Sequence, residues 1–219
     1  MPTAQPAAPD PVLASLEGSA GVLTLDRPAA LNALTTPMIE SIGRALDGFG
    51  RDPGVRTVLL RGSTPRAFCA GGDMRRIREL CLAGEHAEAE RFFATEYALN
   101  RRLAGLDLPL VSLVDGVCMG GGLGLSVHGR FRVATELAVF AMPETALGYF
   151  PDVGGSHFLP RLPSALGRWL GQLQPLREAG SQPLSNVCSG VDNLGASMGA
   201  RCNGFALGRV ITAPLQLAR

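Results

Sequence analysis

The chain contains no lysine; all 20 of its basic residues are arginine. Schiff-base chemistry and lysine general bases are thereby excluded. There is no excess of charge either: the formal net charge is +1, which gives no electrostatic case for nucleic acid as a partner. No apolar run approaches the roughly 18–20 residues needed to span a bilayer. The five cysteines (Cys69, Cys81, Cys118, Cys188, Cys202) form no CxxC pair and are odd in number, so reduced thiols in a cytosol-like compartment are expected. The three histidines (His86, His128, His157) show neither HxH nor HExxH spacing, and no metal site is expected. The first residues lack a basic n-region, an apolar h-region and the arginines of a transit peptide, the first arginine being Arg27. Residues 1–18 therefore read as a disordered lead-in.

What is present suits a globular domain. Apolar residues make up 46% of 219, enough for one domain with a substantial core or for a domain plus a tail. Gly21–Leu25 and Val55–Leu60 read as short buried strands. Between them Thr36 is a candidate N-cap with Pro37 at the first helical position, and Met38, Ile42, Ala45, Leu46 and Phe49 form a helical stripe. A loop over 62–72 leads to a helix starting near Asp73, and a long helix is expected over about 85–106. A buried strand at Leu110–Val114, a glycine cluster opening a helix, and two short strands near Phe131–Ala134 and Ala138–Phe140 follow. Alternating strands and helices imply an α/β fold with mostly parallel pairing. From 171 to 219 the text turns rich in Gly, Ser, Asn and Pro, with only Phe205–Ile211 suggesting an element, and a poorly ordered tail is expected.

Two backbone devices and three acids carry the chemistry. AFCAGGD (67–73) and Gly120-Gly121-Gly122 both place small residues between a strand and a helix, where a ligand can approach the backbone. Neither matches GxGxxG or GxxxxGK[ST], and GLSVH (124–128) misses the GxSxG elbow at its last position. Two converging N–H groups would make an oxyanion hole, worth roughly 3–4 kcal/mol per donor. Glu96 falls on the apolar stripe of the long helix between Phe92 and Leu99, where a carboxylate is costly unless paired; an arginine partner is the plain explanation. Glu144 and Asp152 sit eight positions apart in segments dense with apolar residues, Pro and Gly, where helix capping is the plain explanation.

Taken together, RPAALNAL, AFCAGGD, DGVCMGGGLGLSVHGR and FAMPETALGYFPDVGG resemble the crotonase (enoyl-CoA hydratase/isomerase) superfamily, and within it the 3-hydroxyisobutyryl-CoA hydrolases. The resemblance covers about Val22 to Leu170. It implies a spiral of ββα turns over 19–170, with the thioester carbonyl held by the N–H groups of Gly72 and Gly121 beside Ala70. Glu144 is then nucleophile or base, and Asp152 and Glu96 orient the acyl hydroxyl and water. Gly124 stands where hydratases carry a second glutamate, which argues against hydration, while Asp152 in FPDVGG and Glu96 match the hydrolases; the resemblance thus implies hydrolysis of a short 3-hydroxyacyl-CoA in valine breakdown. The substrate would bring its own coenzyme A, and no other cofactor, nucleic acid or membrane is implied; the compartment would be cytoplasmic, or the matrix in a eukaryote. The family's final turns and oligomer contact have no counterpart in 171–219, so the spiral reads as incomplete at the C-terminus. Weak or absent hydrolase activity is expected of the chain on that account, and an inactive fragment and a hydratase or isomerase are the alternatives.

Overall fold

After an opening hairpin, each strand of the first sheet is followed by a short strand that belongs to a second sheet. The computed structural model describes residues 10–162 and 166–172. β1 (Val12–Glu17) and β2 (Ala20–Leu25) form a hairpin, followed by α1 (Thr36–Arg51). Then β3 (Thr57–Gly62) and β4 (Ala67–Cys69) precede α2 (Met74–Leu82) and α3 (His86–Ala104). β5 (Leu110–Val114) and β6 (Val117–Met119) precede α4 (Gly121–Ser126). β7 (Phe131–Ala134) and β8 (Val139–Ala141) precede a 3-10 segment, Pro143–Leu147, then α5 (Gly155–Phe158) and α6 (Leu166–Gln172). One sheet has the order β1-β2-β3-β5-β7 and the other β4-β6-β8, with every pairing parallel except β1 with β2. This is the α/β spiral of ββα turns that the sequence motifs imply. Among the described residues no helix is long and apolar enough to cross a membrane.

Burial follows the expected patterns. Val58 and Leu60, Leu110 and Val114, and the α1 stripe of Met38, Ile42, Leu46 and Phe49 are all in the core. Each such fully buried side chain contributes roughly 1.5–3 kcal/mol by leaving water. α1 starts one residue earlier than expected: Thr35 is the N-cap, accepting from Met38 N–H at 3.4 Å, and Pro37 is the second helical residue. The helix also runs through Gly48 and Gly50 to Arg51 before Pro53 forbids continuation.

The lead-in reading is corrected for residues 12–17, which form β1. Leu13 and Leu16 point outward, and β1 is held by its backbone ladder to β2, from Val12 opposite Leu25 to Glu17 opposite Ala20. Asp10 anchors its start, accepting from Val12 N–H at 3.0 Å and from Ser41 Oγ at 2.6 Å. β4, expected as loop, is a three-residue strand inside AFCAGGD, and β6 is a further one. Among the described residues Cys69, Cys81 and Cys118 form no disulfide. Cys188, Cys202, the tail beyond 172 and the suggested element at Phe205–Ile211 lie outside the described residues.

Candidate active site

Two loops, one from each of two successive turns, meet backbone to backbone at Gly71 and Gly120–Gly121. Asn32, fully buried at φ 56, fixes the first. Its Nδ2 donates to the carbonyls of Ala67 (3.0 Å) and Phe68 (3.1 Å), and its Oδ1 accepts from Arg27 N–H at 2.8 Å. Arg27 pairs with Asp73 at 2.7 Å and donates to the Ala33 carbonyl at 2.9 Å. Leu34 N–H donates to the Gly71 carbonyl at 2.7 Å, and Leu34 O accepts from Asp73 N–H at 2.9 Å. The RPAALNAL segment is thus a clamp that sets the AFCAGGD loop. Gly71 turns that loop at φ 99, a conformation open to glycine.

On the other side Gly120, at φ 48, donates its N–H to the Ala141 carbonyl at 3.1 Å and leaves Gly121 to open α4. A Cβ on Gly71 would lie 3.4 Å from Gly121 N, and one on Gly121 would lie 3.4 Å from Gly72 N. Among the described residues neither the Gly72 nor the Gly121 N–H has an acceptor. Two such donors side by side can share one carbonyl oxygen. Ala70, half-buried at the loop tip, commits its N–H to Leu31 O at 3.0 Å, so its carbonyl is what it can offer a ligand.

The acids gather at this cradle. A Cβ on Gly121 would fall on Glu96 Oε1, and one on Gly120 would lie 2.8 Å from Glu144 Oε1. Glu96 comes from α3 and is 3% exposed; Glu144 comes from the 3-10 segment and is 7% exposed. No arginine pairs with either among the described residues, so the ion-pair explanation for Glu96 fails. Glu96 Oε1 and Glu144 Oε2 are buried and have no hydrogen-bond partner among the described residues. Burial pushes the Glu96 carboxyl up to about 8, with the nearby Asp152 and Glu144 charges adding to it. Burial also raises Glu144 to about 7, its own backbone N–H pulling the other way and Asp152 adding a little. Asp152 accepts from the Tyr97 hydroxyl at 2.7 Å and from the Tyr149 hydroxyl at 3.4 Å. No group of three His, Cys, Asp or Glu side chains among the described residues is placed to hold a metal ion.

Residues 20–173 match the family model described as enoyl-CoA hydratase/isomerase. The chain belongs to the enoyl-CoA hydratase/isomerase family. It is 53% identical over 153 residues to the mitochondrial 3-hydroxyisobutyryl-CoA hydrolase of Xenopus tropicalis, covering 70% of this chain and 40% of that protein. It is 50% identical over 163 residues to the human protein of that name, covering 74% and 42%. A crystal structure of a carnitinyl-CoA dehydratase from Mycobacterium thermoresistibile superposes with a TM-score of 0.71 at 43% identity, covering 74% of this chain and 47% of that one. The chain spans about two-fifths of the length of the curated relatives it matches.

Within this enoyl-CoA hydratase/isomerase scaffold Gly124 is enclosed. A Cβ there would lie 2.7 Å from Val153 Cβ and 3.0–3.1 Å from the Asn100 amide, so a glutamate could enter only by displacing both. Val153 holds its place at φ 42, a strained setting for a β-branched residue. Sequence reasoning missed Asn100, Tyr97 and Tyr149. Asn100 was reachable: it lies on the Glu96 stripe one turn on, 6% exposed, with both amide atoms unpartnered. It lines a cavity of about 230 Å³ with Tyr97, His128 and Val153.

The raised carboxyls make stability depend on pH. Both glutamates bind protons more tightly folded than unfolded, where they titrate near 4.5. Their contribution is therefore fully present below about pH 4 and is lost as pH rises through about 7 to 8. The free energy of unfolding in urea should fall between pH 5 and pH 9, by an amount on the order of 5 kcal/mol. Glu96→Gln should remove much of that slope. A flat profile in the parent chain would contradict the burial of both acids.

Proposed function

We propose that this site hydrolyses the thioester of a short 3-hydroxyacyl-CoA, with 3-hydroxyisobutyryl-CoA, an intermediate of valine breakdown, as its substrate. The observation that carries the reading is a pair of buried acids, Glu96 and Glu144, with Asp152 near both, at two N–H groups that have no acceptor among the described residues, and the Gly124 position closed by Asn100 and Val153. The N–H groups of Gly72 and Gly121 polarise the thioester carbonyl and take the charge that develops on its oxygen. Glu144 either attacks the carbonyl carbon, giving a mixed anhydride that water then opens, or removes a proton from the attacking water. Either route breaks the C–S bond and consumes one water. Glu96, raised to about 8 and set beside the Gly121 donor, helps to orient the attacking water, and the thiolate that departs takes its proton from solvent. Asp152 accepts from the acyl 3-hydroxyl, and the Ala70 carbonyl faces the substrate beside the cradle. Coenzyme A is part of the substrate, and the scheme uses no further cofactor.

Purified chain mixed with 3-hydroxyisobutyryl-CoA should release coenzyme A, read with a thiol reagent. Butyryl-CoA should be cleaved at least about 10²-fold less efficiently, because an acyl group without a hydroxyl leaves buried polar atoms unpaired. Equal kcat/KM for the two would remove the hydroxyl from recognition. A hydratase on the same scaffold is the second reading, favoured by the dehydratase name of the solved relative. Loss of crotonyl-CoA absorbance without coenzyme A release would replace the first reading with the second.

A further inference from the structure

We propose that Tyr97 is a positioning residue for Asp152, holding its carboxylate through the phenol hydrogen bond while Tyr149 braces the pair. The proposal rests on the hydrolase reading for its catalytic consequence and on geometry alone for the clamp. Two elements each supply an acid and a phenol. α3 carries Glu96 and, one residue on, Tyr97; the segment after β8 carries Glu144 and, five residues on, Tyr149. Consecutive helical residues point about 100° apart, so Glu96 enters the core while Tyr97 stands at the rim of the site.

The two hydroxyls are 2.9 Å apart, and both reach Asp152 Oδ2, Tyr97 at 2.7 Å and Tyr149 at 3.4 Å. An aromatic bracket fixes the rings. Phe93, one turn before Tyr97, lies 6.1 Å from the Tyr97 ring and 5.9 Å from that of Tyr149, whose other neighbour is Phe150 at 4.6 Å. The groups facing Asp152 are Glu96 and Tyr97 from α3, and Glu144 and Tyr149 from its own side of the site. No cation pairs with Asp152 among the described residues. With two other acids beside it, the phenols are the donors that orient this carboxylate towards an acyl hydroxyl. Burial, with the Asp152 charge among the further causes, raises both phenols above their ordinary range.

The test uses a feature of composition: Tyr97 and Tyr149 are the only two tyrosines in the chain. Alkaline titration of phenolate absorbance on the intact protein, with folding followed by circular dichroism, therefore reports this network and nothing else. In the parent both should ionise above the ordinary value of about 10. In Asp152→Asn the titration should move back towards that value, since the negative charge beside the phenols is gone. An unchanged titration would overturn the clamp, whether or not the chain turns over a thioester. For the catalytic half, Tyr97→Phe should lower kcat for 3-hydroxyisobutyryl-CoA about tenfold, the scale of one hydrogen bond to a charged group, with KM within about twofold. Tyr149→Phe, which loses the longer bond, should cost less. A folded Tyr97→Phe protein with parental kcat overturns the positioning role. A parent that releases no coenzyme A overturns the hydrolase reading instead, and the titration still decides the clamp.

Discussion

Glu144→Gln should lower thioester hydrolysis by about 10²-fold or more, the range for loss of a positioned base or nucleophile. The substitution keeps the size of the side chain in a site that is almost closed to solvent, so the fold should survive it. Gln can neither attack a carbonyl as a carboxylate nor accept a proton at neutral pH. The raised Glu144 carboxyl, at about 7, suits a group that must be ionised in the working range yet still take a proton. Activity should accordingly rise with pH through about 7 in the parent and lose that limb in the variant. Because Glu96 and Glu144 influence each other, the apparent values belong to the cluster. In a single turnover in ¹⁸O-labelled water, label in the protein at position 144 means attack with opening at the glutamyl carbonyl; label only in the acid product is the outcome both of the base route and of an anhydride opened at the acyl carbonyl. Turnover within about threefold of the parent would remove Glu144 from the mechanism.

How much of this could be read from the sequence varied with the physical signal each residue left. Strands β2, β3 and β5 and the stripes of α1 and α3 were legible because burial repeats at a fixed period. β1 was not, since Leu13 and Leu16 face outward and its pairing depends on a hairpin ladder. β4 and β6 are three residues long, too short for any period, and exist because the second sheet pairs them across distant turns. At the site Glu96 stood out as a charge on an apolar stripe. Asn100 lies on the same stripe but carries no charge, and so passed as an ordinary helix residue. The Tyr97–Tyr149 contact joins two segments that only tertiary packing brings together. The clamp made by Asn32, Arg27 and Asp73 likewise appears in sequence only as part of RPAALNAL and AFCAGGD, with nothing local to say that one segment fixes the other.

Gly121→Ala should reduce kcat by about 10²–10³-fold, the loss expected when an oxyanion donor is put out of reach. The effect comes from one methyl group. Gly121 is the first residue of α4, and its φ lies outside the left-handed region, unlike Gly120 beside it at φ 48. Alanine is thus compatible with the backbone and favoured in a helix, so instability is not the expected cause. The added Cβ would fall on Glu96 Oε1, 3.3 Å from Leu34 Cδ1 and 3.4 Å from the Gly72 nitrogen. It would therefore stand between the two donors, where the proposed mechanism puts the thioester oxygen, and would push Glu96 from its place at the cradle. Gly122 offers a contrast within the same run. A Cβ there would meet the carbonyl carbon and oxygen of Cys69, which are backbone and cannot swing aside, so Gly122→Ala should unfold or distort the protein. Thermal melts on both variants separate the two cases: Gly121→Ala should melt near the parent while losing turnover, and Gly122→Ala should melt lower. Parental kcat in a folded Gly121→Ala protein would mean that the glycine run serves only to pack α4 against β4, and that the carbonyl is held elsewhere.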